Sequence, residues 1–381
     1  LWSAAIGRPA AEPGRDTAVV PIDLSTGRPS IELRIDGQGP FRFALDTGSG
    51  ADLILDEALA AELGLAPTGT RRIGDPNSPE ALEAKVVKID RVEIGGLTLR
   101  GIDTIAWKRD VLVGSSAPRG VVGLGLFGPR LVTLDYPGAK LTVEPGELPE
   151  PDGRVVLAAS FADGIPSISI DVAGVAFRAH VDSGSSGFLG LPLGAAEKLP
   201  LEAPPVMVGR ARTASGDYAV SESRLRGAVH VGSIAIESPK LRFVDLPIGN
   251  LGSDLLRALV VTVDRKNARV RLLSSGRTLE ASERPRLGIL IPGPKNGRLP
   301  VERVVPGSPA EIAGLRAGDE IVSLNGHEVA TMSAPELGIA MQARPLAIAF
   351  VRDGEPHEVT VGAKAPTPPS EPSPGATSRI P

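Results

Sequence analysis

The residues best equipped for chemistry form a repeated four-residue turn, Asp46-Thr47-Gly48-Ser49 and Asp182-Ser183-Gly184-Ser185. Each turn follows an apolar, strand-like run, FRFAL before the first and FRAHV before the second. Two carboxylates pressed together cannot both ionise, so they share a proton and titrate apart. The charged member can then take a proton from water while the neutral one donates to a carbonyl oxygen, which is acid–base hydrolysis. Gly48 and Gly184 let the backbone turn sharply and approach a partner closely. The hydroxyls of Thr47, Ser49, Ser183 and Ser185 are expected to donate hydrogen bonds that orient or support the carboxylates. A single Asp-Gly turn is common in β proteins; only the pair implies a site.

The elements that must position this pair repeat as well. Asp46 and Asp182 stand 136 residues apart (182 − 46), and Phe41-Arg42 and Phe177-Arg178 keep the same offset. Further on, Gly123 leads to Leu131-Val132-Thr133-Leu134-Asp135, and Gly252 leads to Val260-Val261-Thr262-Val263-Asp264. Each Gly-to-Asp spacing is 12 residues. Ordered matches in both halves argue for duplicated lobes. Short alternating runs divided by Gly and Pro make both lobes β-rich. Leu59 and Leu63, closed by Gly64, predict a short helix within residues 56–65, and a second is predicted near GAAEKL.

The expected divisions are a flexible leader at 1–17, lobe 1 at 18–147, lobe 2 at 153–274, a third unit at 284–364 and a Pro/Ser-rich tail at 365–381. The tail has too little apolar surface to offset chain entropy and reads as disordered. The 381 residues carry 42% hydrophobic and 23% charged side chains, as a folded water-exposed protein does. Charges are intermixed at a net −4 with no basic stripe, which argues against nucleic acid as a partner. No apolar run approaches the roughly 18 residues of a membrane span. Without cysteine there is no thiolate nucleophile or Cys–zinc site, and the four scattered histidines show no ligand spacing, so neither metal nor cofactor is expected. The chain opens on Leu1, which reads as a processed or trimmed product, and a removed signal peptide fits that start.

FALDTGSG and AHVDSGSS, with VVGLG and NLGSD downstream, resemble bacterial aspartic proteases of the retropepsin-like group over residues 18–274. In that family an apolar-apolar-Gly strand crosses each Asp-Thr/Ser-Gly loop in a ψ shape. The resemblance implies two β-barrel lobes, Asp46 and Asp182 as the catalytic pair, and Thr47 and Ser183 as hydroxyls bridging the two loops. It also implies a pepsin-like bilobal monomer, sufficient for the site without a second copy. Val121-Val122-Gly123 matches the crossing strand; in lobe 2 Asn250 replaces an apolar residue before Leu251-Gly252, which puts the packing under Asp182 in question. Family members close a hairpin flap over substrate, for which 70–85 and 211–222 are candidates. Tyr218, beside a Ser-Gly-Asp turn, is expected to reach toward the aspartates or to be a surface-strand Tyr; turn chemistry leaves both open. Strand alternation puts His180 on the face of Asp182. It lines a substrate pocket, raises the working pH, or is simply a hydrogen-bonded lining residue.

The third unit is similar to a PDZ domain in Leu287-Gly288-Ile289, VVPGSPAEIAGLRAGDEIVSLNGHEV and the ELGIAMQA helix. Such domains add an extended chain end to a sheet edge. The resemblance implies that backbone N–H groups at Leu287-Gly288-Ile289 receive a terminal carboxylate, with the strand Ile289–Ile291 and the helix near Pro335–Met341 forming the groove.

The fold class expected is mainly β: two duplicated acid-protease β-barrel lobes followed by an α+β PDZ domain. The function expected is an aspartic endopeptidase acting on proteins or peptides, its PDZ domain recruiting substrate or regulating access. A catalytically silent scaffold acting through the PDZ domain, and an enzyme that cuts only itself, are the alternatives. Resemblance to exported bacterial proteases favours the cell envelope or periplasm, or secretion.

Overall fold

The computed structural model describes residues 10–11, 16–73, 82–107, 118–213, 216–276, 287–332, 336–337, 340–341, 343 and 345–362. Most of the expected leader, the Pro/Ser-rich tail and the tips of both candidate flaps lie outside these residues. The chain divides near residue 285 into two compact units, and among the described residues it is mainly β.

The first unit is nearly all strand, for a reason visible in the burial alternation. In Ser30–Ile35, Ile31, Leu33 and Ile35 point inward while Glu32 and Arg34 point out. Lobe 1 forms an eight-stranded sheet. In it Gly120–Val122 lies between Gln38–Leu45, to which it is parallel, and Leu53–Asp56, to which it is antiparallel. Lobe 2 repeats the arrangement, with Gly249–Leu251 between Val175–Val181 and Leu189–Pro192. These are the ψ-shaped crossings implied by the family resemblance. The helix Glu57–Glu62 starts where the Asp56 side chain accepts from the Ala58 N–H at 3.1 Å. The segment near GAAEKL is a 3-10 helix, Leu193–Lys198, whose Pro192 cap offers no side-chain bond. Within the expected leader, Ala10–Ala11 pairs with Leu99 and Arg100, where the strand Leu97–Trp107 offers edge N–H and C=O groups.

The lobes join through a shared antiparallel layer. Leu131–Asp135 pairs with Leu259–Asp264, Thr133 facing Thr262 with their hydroxyls 3.0 Å apart. The two segments that repeat in sequence are thus each other's neighbours. Residues between the lobes are fastened to this layer: Leu148 is buried with Leu131 and Val156, and its N–H donates to Asp264 Oδ2 at 2.9 Å. One continuous apolar core runs through both lobes.

The second unit packs Leu299–Pro300, Glu320–Leu324, Leu346–Arg352 and Glu355–Val361 around Ile321, Leu324, Ile348 and Phe350. Ser308 caps the helix Pro309–Ile312 by accepting from the Glu311 N–H, with Pro309 in the first turn. Buried Asp319 takes a two-bond fork from Arg352 at 2.7 and 2.8 Å. In the expected ELGIAMQA helix the described residues Glu336, Leu337 and Ala340 are helical, and Leu337 is buried.

Leu134 is 1% exposed and faces Val261 across the lobe junction. Leu134→Ala should therefore destabilise the first unit by about 2–5 kcal/mol, read as a lower denaturant midpoint.

Candidate active site

Asp46 and Asp182 emerge at equivalent ends of Gln38–Leu45 and Val175–Val181. The crossing strands hold them there: the Asp46 N–H donates to Val122 O, and the Asp182 N–H to Leu251 O, both at 2.9 Å. From these ends the two turns meet. A Cβ added to Gly48 would land on the Asp182 carboxyl, and one added to Gly184 would land on the Asp46 carboxyl. Each carboxyl thus lies over the other lobe's glycine, a proximity that only residues without a side chain allow.

Thr47 and Ser183, 1% and 0% exposed, lock the two turns together. The Thr47 hydroxyl donates to Val181 O at 2.6 Å and accepts from the Ser183 N–H at 2.9 Å. Ser183 reciprocates, donating to Leu45 O at 2.7 Å and accepting from the Thr47 N–H at 2.9 Å. Thr47 and Ser183 thus bridge the two loops and support the carboxylates through the opposite backbone. Ser49 bonds Ala51, and Ser185 accepts weakly from the Gly187 N–H. Backbone N–H groups orient the carboxylates directly, Gly48 on Asp46 Oδ1 at 2.8 Å, and Gly184 and Ser185 on Asp182 Oδ1 at 2.9 and 3.0 Å.

Both aspartates keep an open face, yet the surrounding protein removes most of the water. Burial first, and the Asp182 charge second, push the Asp46 carboxyl up from 3.8 to about 8. Sequence reasoning had marked Asn250 only as a departure. Its Nδ2 donates to Asp182 Oδ2 at 2.6 Å. Ser253, fully buried, donates to Ser183 O at 2.6 Å and supports the second turn from below. Tyr136 is buried near the same serines, and burial pushes its ionisation up. Nothing in the spacing of Ser253 or Tyr136 pointed to these positions. Among the described residues no group of three or more His, Cys, Asp or Glu side chains could hold a metal ion.

The family model for aspartyl protease matches residues 31–127 and 168–255, and that for the PDZ domain matches 301–348. No curated protein matches the chain. The chain carries an aspartyl protease domain and a C-terminal PDZ domain.

In the protease domain His180 Nε2 lies 2.8 Å from Asp163 Oδ2. Asp163 is a partner that no local motif announced. Tyr218 sits on Gly216–Arg224, which forms a hairpin with Val206–Thr213; Tyr218 pairs with Ala211, close to the undescribed tip. The lobe 1 candidate is likewise a hairpin, Pro67–Ile73 with Leu82–Ile94. No helix of the described residues is long and apolar enough to cross a membrane.

In the PDZ domain the Leu287-Gly288-Ile289 loop is fastened from behind. Leu287 O accepts from the Ala310 N–H at 2.9 Å and Gly288 O from the Val305 N–H at 2.7 Å. Gly288 has φ +77°, and a Cβ there would strike the Ser308 side chain. Ile289 opens the short strand Ile289–Leu290 and pairs with Val304.

Thr47→Val leaves the Ser183 N–H and Val181 O without partners in a buried setting. The expected cost is about 2–5 kcal/mol, measured by denaturant unfolding. Asp46 also links stability to pH. Its folded-state value lies above the unfolded one, so the folded chain holds the extra proton between about 4 and 8. The stabilisation is complete below the unfolded value and is lost as pH rises through about 8. This group should contribute a decline of at most about 1.4 kcal/mol per pH unit across that window. Asp46→Asn should flatten it in unfolding midpoints taken from pH 4 to 8; an unchanged slope would contradict a buried neutral Asp46.

Proposed function

We propose that the first unit is an aspartic endopeptidase in which Asp46 and Asp182 share one proton and activate water against a peptide carbonyl. The observation carrying this reading is the placement of each carboxyl over the other lobe's glycine, inside a reciprocal hydroxyl lock. Such a pair can hold one negative charge and one proton side by side, the two forms that general base and general acid each require. Both aspartates come from one chain, so the proposed site needs no second copy. The substrates proposed are proteins and extended peptides.

The PDZ domain is proposed to capture peptide chain ends at Leu287-Gly288-Ile289 and so recruit substrate or regulate access. The fastened loop supports this, because a carboxylate is held best by N–H groups that are already fixed. The silent-scaffold reading drew on Asn250 as a departure from the family pattern. With its amide on Asp182 and the aspartate in place, Asn250 lends that reading no particular support.

Cleavage of an unfolded protein should be pepstatin-sensitive, and it should fall away as pH rises through about 8, where Asp46 gives up its proton. Asp46→Asn and Asp182→Asn, made separately, should each lower kcat by about 10²–10⁴-fold or more while circular dichroism and unfolding show a folded protein. Full turnover in either variant would end the proposal.

A further inference from the structure

The duplicated lobes differ where they meet the aspartates. In lobe 1 the parallel register sets Ala44 beside Val121, and in lobe 2 it sets His180 beside Asn250. The same two positions are therefore apolar under Asp46 and polar under Asp182. The consequence is an unequal supply of donors. Asp182 accepts three N–H groups, from Gly184 and Ser185 on Oδ1 and from Asn250 on Oδ2 at 2.6 Å. Asp46 accepts the Gly48 N–H on Oδ1, and its lobe offers only Val121 where Asn250 stands.

We propose that Asn250 is a positioning residue that assigns the pair's negative charge to Asp182 and its proton to Asp46. An amide N–H can only donate, so it occupies a lone pair of Asp182 Oδ2 and bonds the charged oxygen more strongly than a protonated one. A carboxylate that accepts several N–H bonds is held in its charged form. Turning the amide over does not undo this cheaply. Asn250 Oδ1 is buried without a partner, and the reversed amide would place an NH2 with two unpaired donors in that spot.

The assignment deepens the protease reading and rests on it for its chemical meaning. As a water oxygen bonds to the carbonyl carbon, its proton passes to Asp182 and the Asp46 proton passes to the carbonyl oxygen, leaving a neutral gem-diol. In the second step Asp182 returns its proton to the amide nitrogen as the C–N bond breaks. One gem-diol hydroxyl gives its proton back to Asp46, and carboxylic acid and amine depart.

Other charged groups approach the pair, and they do not reverse the ordering. Arg28 precedes Pro29 in lobe 1 and favours charge on Asp46, but its side chain is exposed and screened by solvent. His180 stands on the strand of Asp182 with Asp163 at 2.8 Å; when protonated it favours charge on Asp182. Arg242 lies against Gly187 in the second loop and is paired with Glu222 at 3.1 Å. Tyr136 is buried close to both aspartates and stays neutral.

The test is a carbon-13 carboxyl NMR titration of aspartate-labelled full-length protein, read alongside the pH profile of kcat/KM. In the wild type the lower macroscopic step of the pair should follow the Asp182 resonance. Asn250→Val, which installs the lobe 1 residue, should raise that step by about one to two pH units and move the acid limb of kcat/KM with it. Asn250→Ala should give the same shift without the branched side chain, so the test survives if Val is not accommodated. Asn250→Thr, isosteric with Val but with a donor, should recover part of the wild-type value. A lower step that follows Asp46 in the wild type, or an unmoved step in folded Val and Ala variants, overturns the assignment. A shift as expected with no cleavage by the wild type at any pH leaves the assignment standing and removes the protease reading. Cleavage with an unmoved titration does the reverse.

Discussion

The four hydrogen bonds between the Asp46 and Asp182 turns are the constraint on which the site depends. Each hydroxyl donates to one backbone group of the opposite lobe and accepts from another, so neither turn is complete without its partner. All of these groups are buried, and a missing partner would leave an orphan that water cannot satisfy. The lock is therefore close to all-or-none. The pairing of Leu131–Asp135 with Leu259–Asp264 joins the same two lobes a second time. Once formed, the lock leaves the carboxyls one position for contact, above the opposing glycines. The burial and the like charge that raise Asp46 follow from this geometry.

A site built from two lobes starts with a degeneracy. If both lobes were identical, the shared proton would have no preferred home. A pair of identical chains cannot break that symmetry by sequence, whereas a single chain can, because equivalent positions mutate independently. Here Ala44 corresponds to His180, Val121 to Asn250 and Leu124 to Ser253. All three differences place polar groups on the lobe 2 side. Ser253 supports the second turn by donating to Ser183 O, and His180 carries Asp163 with it. The lock itself stays symmetric while its surroundings diverge. This is the expected outcome when each hydroxyl has an indispensable backbone partner and the surrounding positions do not.

The sequence made the local chemistry legible and left most of the adjacency hidden. The two Asp-Gly turns stood out because few residues other than Gly tolerate such close approach, and because the flanking strands repeated at one offset. The helix closed by Gly64 was readable for a similar reason, since the residues that shape it lie within a few positions of one another. The repeat of LVTLD and VVTVD was also readable, but it revealed equivalence and not contact. Only the fold shows Thr133 meeting Thr262. The acceptors of the Thr47 and Ser183 hydroxyls are hidden in the same way. The family resemblance implies that these hydroxyls bridge the two loops, but the groups they meet, Val181 O and Leu45 O, lie 134 and 138 residues away.

Asn250 is the sharpest instance of this limit. Against the family pattern it was a blemish in an apolar strand, and in a duplicated lobe a blemish suggests decay. Its meaning depends on an acceptor 68 residues away that strand pairing delivers. A polar residue on a half-buried strand is destabilising until it finds a partner, and then it orders that partner strongly. The register His180–Asn250, next to Val181–Leu251, sets the amide beside the end of the strand where Asp182 begins. A slip of one residue would turn the amide to the opposite face of the sheet and bring Leu251 to the carboxylate. The buried apolar Leu251 and Val181 are thus what hold a polar contact in place: their burial sets the register, and the register aims the amide at Asp182.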